Sequence, residues 1–508
     1  MKKLFFIVIL FQSLLAFSQK NCEKWKVYEI TLKGPSSGNP FQEVSLSATF
    51  SNGSTQTEVS GFYDGDGIYR IRFMPAGEGK WNYLTKSNQK VLNNRKGEFI
   101  CTPPLVKNHG PVMVKDTFYF AYADGTRHNS FGTTSYAWIH QGDSLAQLTL
   151  QTLSNGVFNK MRMCIFPKDH YWNKNEPLLY PFEGKPLKDW DYSRFYPAYF
   201  RNIEKRIAQL DSLGIEADLI VFHPYDRWGF QEMGKEANDR YIKYIIARFA
   251  AYKNVWWSIA NEYDLMKAMN MDDWDHFIEL FATLDPYRRL ISIHSMPDEK
   301  LWYDHTNPLI SHASIQNEDT YKARESRIKY RKPVVFDECR YEGNIPFGWG
   351  NITAVEMVNK FWTGFTNGGH VGHSETILVE NPLNPPLTSS EVMWWSKGGV
   401  LRGESPARIK FLREIIESAP GNLGLSPRFR SSKRFTVVSY KEEYYLAYCS
   451  LDQSRAIIIS LPEGKTYKVE IIDAWNMTIK PLPGTYTGRC MVELPGKPFT
   501  ALRVMRTP

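Results

Sequence analysis

The stretch at residues 255–262 reads VWWSIANE, an apolar run that ends in an amide and a carboxylate. Its composition predicts a buried strand that delivers Asn261 and Glu262 to the edge of a sheet. A second stretch, PVVFDE at residues 333–338, has the same form and ends on Glu338. Both stretches belong to one longer alternation of strands and helices, and that alternation decides the fold.

From residue 110 to residue 420 the chain alternates apolar strand candidates with helical segments. Eight strands that each precede a helix predict a (β/α)8 TIM barrel, and they fit it better than an open doubly wound sheet. No phosphate-binding glycine motif follows any of these strands, which counts against nucleotide-binding folds. The strand candidates span residues 131–134, 158–166, 217–222, 255–259, 290–294, 309–315, 333–336 and 368–372, so the two stretches above are the fourth and the seventh.

The barrel is flanked by two segments with the period-two alternation of antiparallel strands. Residues 20–104 contain short alternating runs separated by turns rich in Gly, Pro and Asp. The same pattern returns over residues 425–508. Strands of this length and spacing are typical of small β-sandwiches. The predicted fold class is therefore α/β, a TIM barrel with an N-terminal and a C-terminal β-sandwich domain.

The N-terminus has the pattern of a cleavable export signal. Lys2 and Lys3 precede an apolar run, and small residues stand before Gln19. The run over residues 4–15 is too short for an ordinary membrane anchor, so we expect no membrane insertion. Residues 1–18 are the expected signal peptide, and the mature protein is expected to be periplasmic or secreted.

Charge and composition narrow the partners of the chain. The formal net charge is +8, but lysines and arginines are scattered and do not form a basic patch, which argues against nucleic acid as a partner. Aromatic residues make up 14% of the chain, which slightly favours binding to the apolar faces of sugars. We expect a poly- or oligosaccharide substrate, and the sequence leaves the oligomeric state open.

The six cysteines do not form a metal or redox motif. No C-x-x-C spacing occurs among Cys22, Cys101, Cys164, Cys339, Cys449 and Cys490. Export would permit disulfides, and either Cys22 with Cys101 or Cys449 with Cys490 could be bridged. Sequence alone does not determine which. We expect no cofactor.

Glu262 and Glu338 stand where a barrel keeps its active site, at the C-terminal ends of strands. Cleavage of a glycosidic bond needs one carboxylic acid to protonate the leaving oxygen, and a second carboxylate to attack the anomeric carbon or to activate a water. A separation of roughly 5–5.5 Å between the two would give net retention of configuration. An amide such as Asn261 beside the acid can hydrogen-bond the sugar 2-hydroxyl.

The Asn-Glu at the end of strand four and the Glu at the end of strand seven resemble the signature of a large clan of retaining glycoside hydrolases. This clan includes cellulases, β-mannanases and β-galactosidases. The chain as a whole resembles bacterial polysaccharide-degrading enzymes with an apiosidase-like barrel between two β-sandwiches. The resemblance implies Glu262 as acid/base, Glu338 as nucleophile, and Arg162 on strand two as the arginine that keeps the nucleophile ionised.

Other site candidates follow from their positions at strand ends. His223 ends strand three, His294 ends strand five and Gln316 follows strand six; the histidines could donate hydrogen bonds to sugar hydroxyls. The clan often has a strand-six tyrosine near the nucleophile, and no residue here clearly fills that role. The stretch HVGHSE at residues 370–375 lacks metal-ligand spacing, so we interpret it as a substrate-contacting loop with His373 as a binding candidate and expect no metal.

Two other functions are compatible with this architecture. A non-catalytic glycan-binding protein could keep the barrel as a scaffold, although retention of Asn261 and both glutamates argues against it. A metal-dependent barrel hydrolase would lose activity with a chelator, whereas a two-glutamate enzyme would not. The stretches 168–189 and 380–392 look like insertions that shape the mouth of the barrel, and we favour a pocket with exo-type action on short substrates.

Overall fold

The structure is a computed structural model that describes residues 21–172, 176–186, 189–379, 393–429 and 431–507. The predicted signal peptide and the predicted insertion at 380–392 lie outside these residues. The chain divides into two compact units, Met1–Leu105 and Val106–Pro508. Among the described residues, no helix is both long enough and apolar enough to cross a bilayer.

The first unit is a sheet folded over onto itself. The strand Thr55–Tyr63 pairs with one neighbour along its first half and with another along its second half, so the sheet bends there. Tyr28 stacks on Phe99 at 3.9 Å and Phe50 stacks on Phe73 at 4.1 Å, which fills the space between the two layers. The strands are Asn21–Glu23, Tyr28–Lys33, Leu46–Asn52, Thr55–Tyr63, Ile68–Phe73, Gly79–Ser87 and Lys96–Thr102, with one short helix, Pro40–Glu43.

Cys22 and Cys101 lie directly opposite each other on neighbouring parallel strands of this unit. Both are buried free thiols in the structure, as are Cys164, Cys339 and Cys449, and Cys490 is a partly buried free thiol. Of the two predicted candidate bridges, the structure places only the Cys22–Cys101 pair side by side in a sheet.

The second unit contains the predicted barrel. Its eight strands, which we number one to eight, form a sheet in the order five, four, three, two, one, eight, seven, six, with parallel pairing throughout. The ring closes between strands five and six, where the Ser311 amide donates to the Ile291 carbonyl at 2.9 Å. The strands are Phe131–Thr134, Lys160–Cys164, Glu216–Phe222, Val255–Ala260, Ile291–Ser292, Ala313–Gln316, Val334–Glu338 and His370–His373.

Helices cover the outside of the barrel. They are Asp143–Leu153, Pro197–Ser212, Lys235–Phe249, Met271–Leu284, Ala323–Tyr330, Ala354–Thr366, Trp394–Lys397 and Ser405–Glu417. The third begins at Lys235, directly after Gly234. The helix Met271–Leu284 begins at Asn270, whose side chain accepts hydrogen bonds from the first-turn amides. Short strands in the loops are Arg127–His128, Phe182–Glu183, Asp191–Phe195, Glu342–Gly343 and Glu375–Thr376.

A hairpin closes the N-terminal end of the barrel. Its strands, Val112–Lys115 and Tyr119–Tyr122, carry Phe120 against Trp256, with ring centres 5.1 Å apart. The ring of Phe120 also contacts His312 and His370 at the starts of strands six and eight. Because this end is filled by side chains, the opposite end is the one left to hold a site.

The C-terminal β domain packs on the barrel. Its strands are Gly424–Leu425, Thr436–Tyr440, Tyr444–Tyr448, Ala456–Ser460, Tyr467–Asp473, Thr478–Pro481, Arg489–Glu493 and Thr500–Arg506. Six form one sheet, and Ala456–Ser460 with Arg489–Glu493 form a ribbon that shares its core. The Tyr448 hydroxyl donates to Asn359 at 2.9 Å, and Arg408 stacks on Trp475 at 3.8 Å. These contacts attach the domain to two barrel helices.

A buried ion cluster lies inside the barrel. The Lys160 ammonium donates to Asp218 at 2.7 Å and to Asp337 at 2.6 Å, and all three side chains are at most 2% exposed. Burial raises the pKa of Asp218; for Asp337 burial acts the same way, but Lys160 and Arg162 outweigh it and lower the pKa. Asp337 is therefore the ionised partner of Lys160.

We predict that Lys160→Met lowers the free energy of unfolding of the barrel by about 3–5 kcal/mol, because it leaves a carboxylate buried without its cation. Denaturant titration monitored by tryptophan fluorescence measures the change. The matched control is Lys205→Met. Lys205 pairs with Asp143 at 2.9 Å on the exposed surface, so its loss should change the free energy by less than about 1 kcal/mol. Equal effects of the two substitutions would contradict the assignment.

Candidate active site

Asn261 and Glu262 follow strand four directly. The Asn261 amide continues the ladder by donating to the Phe222 carbonyl of strand three at 2.9 Å. The chain turns out of the ladder at Glu262, which has φ of 50° and ψ of 53°. This left-handed conformation is costly for a residue with a Cβ. Strain of this kind at a strand end is a common feature of functional sites. The side chain is 4% exposed at the mouth of the barrel.

Glu338 is the last residue of strand seven, and its ladder partner across strand six is Gln316. The carboxylate is 7% exposed. Its Oε1 accepts hydrogen bonds from the Tyr136 hydroxyl and from the Arg162 guanidinium, the latter at 3.1 Å. His294 Nε2 lies 3.6 Å from the same oxygen. Four different strands thus contribute to one carboxylate's surroundings.

These neighbours keep Glu338 ionised. Burial alone would raise its pKa, but His294, Arg162 and the hydrogen bond from Tyr136 outweigh burial and lower it. Burial and the charge of Arg162 lower the pKa of His294 to about 4, so this ring carries the charge that acts on Glu338 only at acid pH and is uncharged at neutral pH. Arg162 is then the permanent positive charge beside Glu338.

Glu262 has the opposite environment. Burial raises its pKa to about 7 and the nearby Glu338 charge adds to the effect, whereas Lys168 and hydrogen bonds from Tyr225 and Gln316 act against it. The Tyr225 hydroxyl and the Asn261 side-chain amide both donate to Oε2, the amide at 3.2 Å. Near neutral pH the site therefore holds one carboxylate and one carboxylic acid.

Arg162 connects the two glutamates. Its Nη1 donates to Glu338 at 3.1 Å and to the Asn261 side-chain carbonyl at 2.7 Å, and Asn261 in turn donates to Glu262. The guanidinium is 1% exposed. Because one side chain orients both the amide and the carboxylate, the relative positions of the two glutamates depend on it.

His294 is held by a chain of hydrogen bonds that begins at the ion cluster. The Ser314 hydroxyl donates to Asp337 at 2.5 Å, and His294 Nδ1 lies 3.0 Å from the Ser314 oxygen. Serine has a single hydroxyl proton, and the ionised Asp337 can only accept. His294 must therefore donate through Nδ1, which leaves its Nε2 as a buried acceptor facing Glu338.

Aromatic side chains line the mouth around the glutamates. Trp395 contacts Tyr136, Trp349 and His170, with ring centres 5.1–5.3 Å apart. Tyr171 and Phe347 are each 46% exposed at the rim. Flat apolar faces at this place suit the apolar faces of sugar rings.

A group of Glu342, His373 and Glu375 lies outside the barrel ring. Their ligand atoms are within 4.8 Å of one another. Glu342 accepts from the Glu404 and Ser405 amides, and Glu375 accepts from the Arg402 and Gly403 amides, all at or next to the start of the helix Ser405–Glu417. The two carboxylates thus satisfy the amides at a helix N-terminus, which accounts for their burial.

Sequence comparison matches this barrel to a known family. A profile described as "Apiosidase-like, catalytic domain" matches residues 115–375, just over half of the chain. The chain belongs to the apiosidase-like family. Two profiles described as domains of unknown function match residues 21–88 and 434–505 in the flanking domains.

Solved structures agree with this family. A Bacteroides vulgatus protein described as a candidate glycoside hydrolase is 41% identical, with a TM-score of 0.90 over 96% of this chain and 100% of its own. A family 5 glycoside hydrolase from the same species is 14% identical, with a TM-score of 0.59 over 78% of this chain and 94% of its own, and shows a shared fold. Among curated proteins none matches the sequence. Together these matches make the chain a glycoside hydrolase.

The structure brings together most of the residues predicted for the site of this glycoside hydrolase. Glu262, Glu338, Asn261, Arg162 and His294 are linked as described above, and Gln316 adds its hydrogen bond to Glu262.

Two predicted residues make other contacts. His223 Nε2 lies 3.2 Å from the Phe166 carbonyl oxygen, so its ring forms a hydrogen bond with the backbone. His373 stacks on Phe158 at 4.8 Å and contacts Thr133, outside the barrel interior.

Four site residues were not predicted from sequence. Tyr136 donates to Glu338, Tyr225 donates to Glu262, and Tyr341 lies 3.4 Å from the Tyr136 hydroxyl. Tyr136 and Tyr341 occupy the neighbourhood of Glu338 that a strand-six tyrosine would fill in the wider clan. Lys168 is the fourth. All four stand two to four residues beyond a strand, so a search that extended past the strand ends would have found them.

We predict that His294 carries its proton on Nδ1 at neutral pH, because Ser314 accepts from that atom. Long-range proton–nitrogen correlation spectra of protein labelled with ¹⁵N-histidine report the protonated nitrogen, and His294→Gln assigns the signals. His276 is the internal control, since its Nε2 lies 2.8 Å from Asp239 and should carry the proton there. Ser314→Ala should shift His294 toward the Nε2-protonated form. A doubly protonated His294 at pH 7 would contradict the prediction.

Proposed function

We propose that the enzyme is a retaining glycoside hydrolase that cleaves an O-glycosidic bond in a plant or algal polysaccharide, or in an oligosaccharide derived from one. In this proposal Glu338 is the nucleophile and Glu262 is the acid/base. The observation that carries the proposal is the opposite electrostatic environment of the two carboxyl groups at the ends of strands seven and four. Two carboxyl groups whose pKa values are driven apart have the protonation states that the reaction needs.

The reaction begins with both groups in these states. The Glu338 carboxylate attacks the anomeric carbon while Glu262 gives its proton to the leaving oxygen, and a glycosyl-enzyme ester forms. Glu262, now ionised, takes a proton from water, and the water oxygen attacks the anomeric carbon. The ester breaks and returns Glu338 to its ionised form. Arg162 stabilises the carboxylate before the attack and after the release.

Asn261 and His294 are the groups we expect to hold the sugar beside the nucleophile. One hydrogen of the Asn261 amide donates to Glu262, and the other is directed to the sugar 2-hydroxyl in this proposal. His294 Nε2 is an acceptor, so a sugar hydroxyl would donate a hydrogen bond to it. The sequence led us to expect the opposite direction, with the histidine as the donor. The low exposure of both glutamates supports a pocket and short substrates, as favoured above.

We predict that Glu338→Gln lowers kcat/KM for an aryl glycoside that the wild type cleaves by at least about 1,000-fold, since no glycosyl-enzyme can form. Glu262→Gln should lower it by about 100- to 10,000-fold for substrates with poor leaving groups. A panel of aryl glycosides and plant and algal glycans provides the substrates. The control is Glu318→Gln, because Glu318 pairs with Arg340 at 3.3 Å on the exposed rim, and it should keep wild-type activity.

Proton NMR of the first-formed product distinguishes the mechanisms. Retention of the anomeric configuration is expected, and inversion would overturn the role of Glu338 as nucleophile. No turnover of any glycan by the folded wild type, with binding intact, would favour a glycan-binding protein. Loss of activity with a chelator would favour a metal-dependent hydrolase.

The pH dependence of kcat/KM is expected to be bell-shaped. Activity requires ionised Glu338, whose pKa is lowered, and protonated Glu262, whose pKa is raised to about 7. The rate should therefore rise at acid pH, below the ordinary range of a glutamate, and fall as the pH passes about 7. With an activated aryl leaving group, Glu262→Gln should remove the alkaline limb and keep the acid limb. Persistence of the alkaline limb in that variant would assign it to another group.

A further inference from the structure

Lys168 lies in the middle of the site, next to side chains that contact Glu338 and side chains that contact Glu262. It follows strand two by four residues and is 3% exposed. Its ammonium is 3.4 Å from the ring centre of Tyr136, 4.1 Å from that of Tyr225 and 4.9 Å from that of Trp395. Three aromatic faces therefore surround one buried ammonium, whose pKa is lowered by burial while the charges of Glu262 and Glu338 act to raise it.

Two of these faces belong to the tyrosines that serve the glutamates. Tyr136 donates its hydroxyl to Glu338, and Tyr225 donates its hydroxyl to Glu262. A cation on the face of a phenol ring fixes the ring and withdraws electron density from it, which strengthens the hydroxyl as a donor. One ammonium can thus act on both hydrogen bonds at once.

The loop that carries Lys168 is fastened to the loop that carries Tyr225. The Asp169 amide donates to the Tyr225 carbonyl at 2.7 Å, and the Asp169 carboxylate pairs with Arg227 at 3.2 Å. These contacts keep the ammonium in register with the ring of Tyr225. The position of Lys168 is therefore set by both loops.

Among the described residues, Glu262 and Glu338 are the main anions near the Lys168 ammonium, because the other titratable groups around it are uncharged or cationic. Cys164 remains a thiol because burial raises its pKa to about 12, and His223 is uncharged because burial lowers its pKa to about 3. Arg162 is a second cation. The titratable and charged groups that face the ammonium are Tyr136, Arg162, Cys164, His223, Tyr225, Glu262 and Glu338.

We propose that Lys168 is a positioning residue for the reaction, a single ammonium that holds Tyr136 against Glu338 and Tyr225 against Glu262. This inference rests on the proposed roles of the two glutamates. Its positive charge also lowers the pKa of both carboxyl groups. Removal of that charge raises both pKa values together, which no change confined to one glutamate would do.

The test is the pH profile of kcat/KM for Lys168→Met with an aryl glycoside that the wild type cleaves. Both limbs should move to higher pH by about one unit, because a buried charge that lowers the pKa of both carboxyl groups is lost. Lys168→Arg keeps the charge, and its limbs should return toward those of the wild type. Tyr136→Phe should move only the acid limb and Tyr225→Phe only the alkaline limb.

A fall in kcat with both limbs unmoved in Lys168→Met would overturn the inference and leave a merely structural role. Should the methionine variant fail to fold, Lys168→Gln removes the same charge and its profile decides in the same way. Failure of the proposed function is seen separately, as turnover that survives in Glu338→Gln. The two results are independent, since the glutamate variants are measured with Lys168 intact.

Discussion

The charge of Arg162 is the constraint on which the rest of the site depends. A guanidinium does not lose its proton in a protein, so this fully buried group must have an anion beside it. Glu338 supplies that anion at 3.1 Å. Once Glu338 is held ionised, a second buried carboxyl group nearby is driven to keep its proton, and Glu262 is that group. The difference between the two glutamates follows from the charges and hydrogen bonds around Glu338, where Arg162 is the permanent cation hydrogen-bonded to it, and from the burial of Glu262.

A second set of charged and polar side chains lies inside the barrel and is connected to the residues around Glu338. Lys160 holds Asp337 ionised, Asp337 accepts a hydrogen bond from the Ser314 hydroxyl, and the Ser314 oxygen is thereby left to accept from Nδ1 of His294. A charge pair that stabilises the barrel thus also sets the hydrogen-bonding direction of a ring beside Glu338. Asp337 and Glu338 are adjacent on strand seven, so a single strand contributes to both layers.

The barrel and the two glutamates could be predicted because they depend on local patterns. Each buried strand is a short apolar run, and its end marks the mouth of the barrel, as at Asn261 and Glu338. The direction in which a side chain points after a strand ends is not local. His223 turns to the Phe166 carbonyl, and Tyr225, two residues further on, reaches Glu262 instead.

The stretch 370–375 illustrates the same limit. Its position at the end of strand eight suggested a substrate-contacting loop, yet Glu375 accepts from amides next to the start of a helix that begins at Ser405. That partner lies roughly thirty residues away in sequence, and no spacing rule connects the two. Strand six also ends with an irregular register, so its sequence did not reveal that Gln316 faces Glu338 across the ladder.

Lys168 makes the two halves of the site dependent on each other. Tyr136 lies two residues beyond strand one and Tyr225 lies in the loop after strand three, and the Lys168 ammonium is a common neighbour of their rings. A change in the loop after strand two would therefore alter the surroundings of Glu262 and Glu338 together. Mouth loops in barrels vary readily, and here one of them carries a residue that acts on the chemistry as well as on the shape of the pocket. Substrate range and pH range are for this reason expected to change together in relatives that differ at this loop.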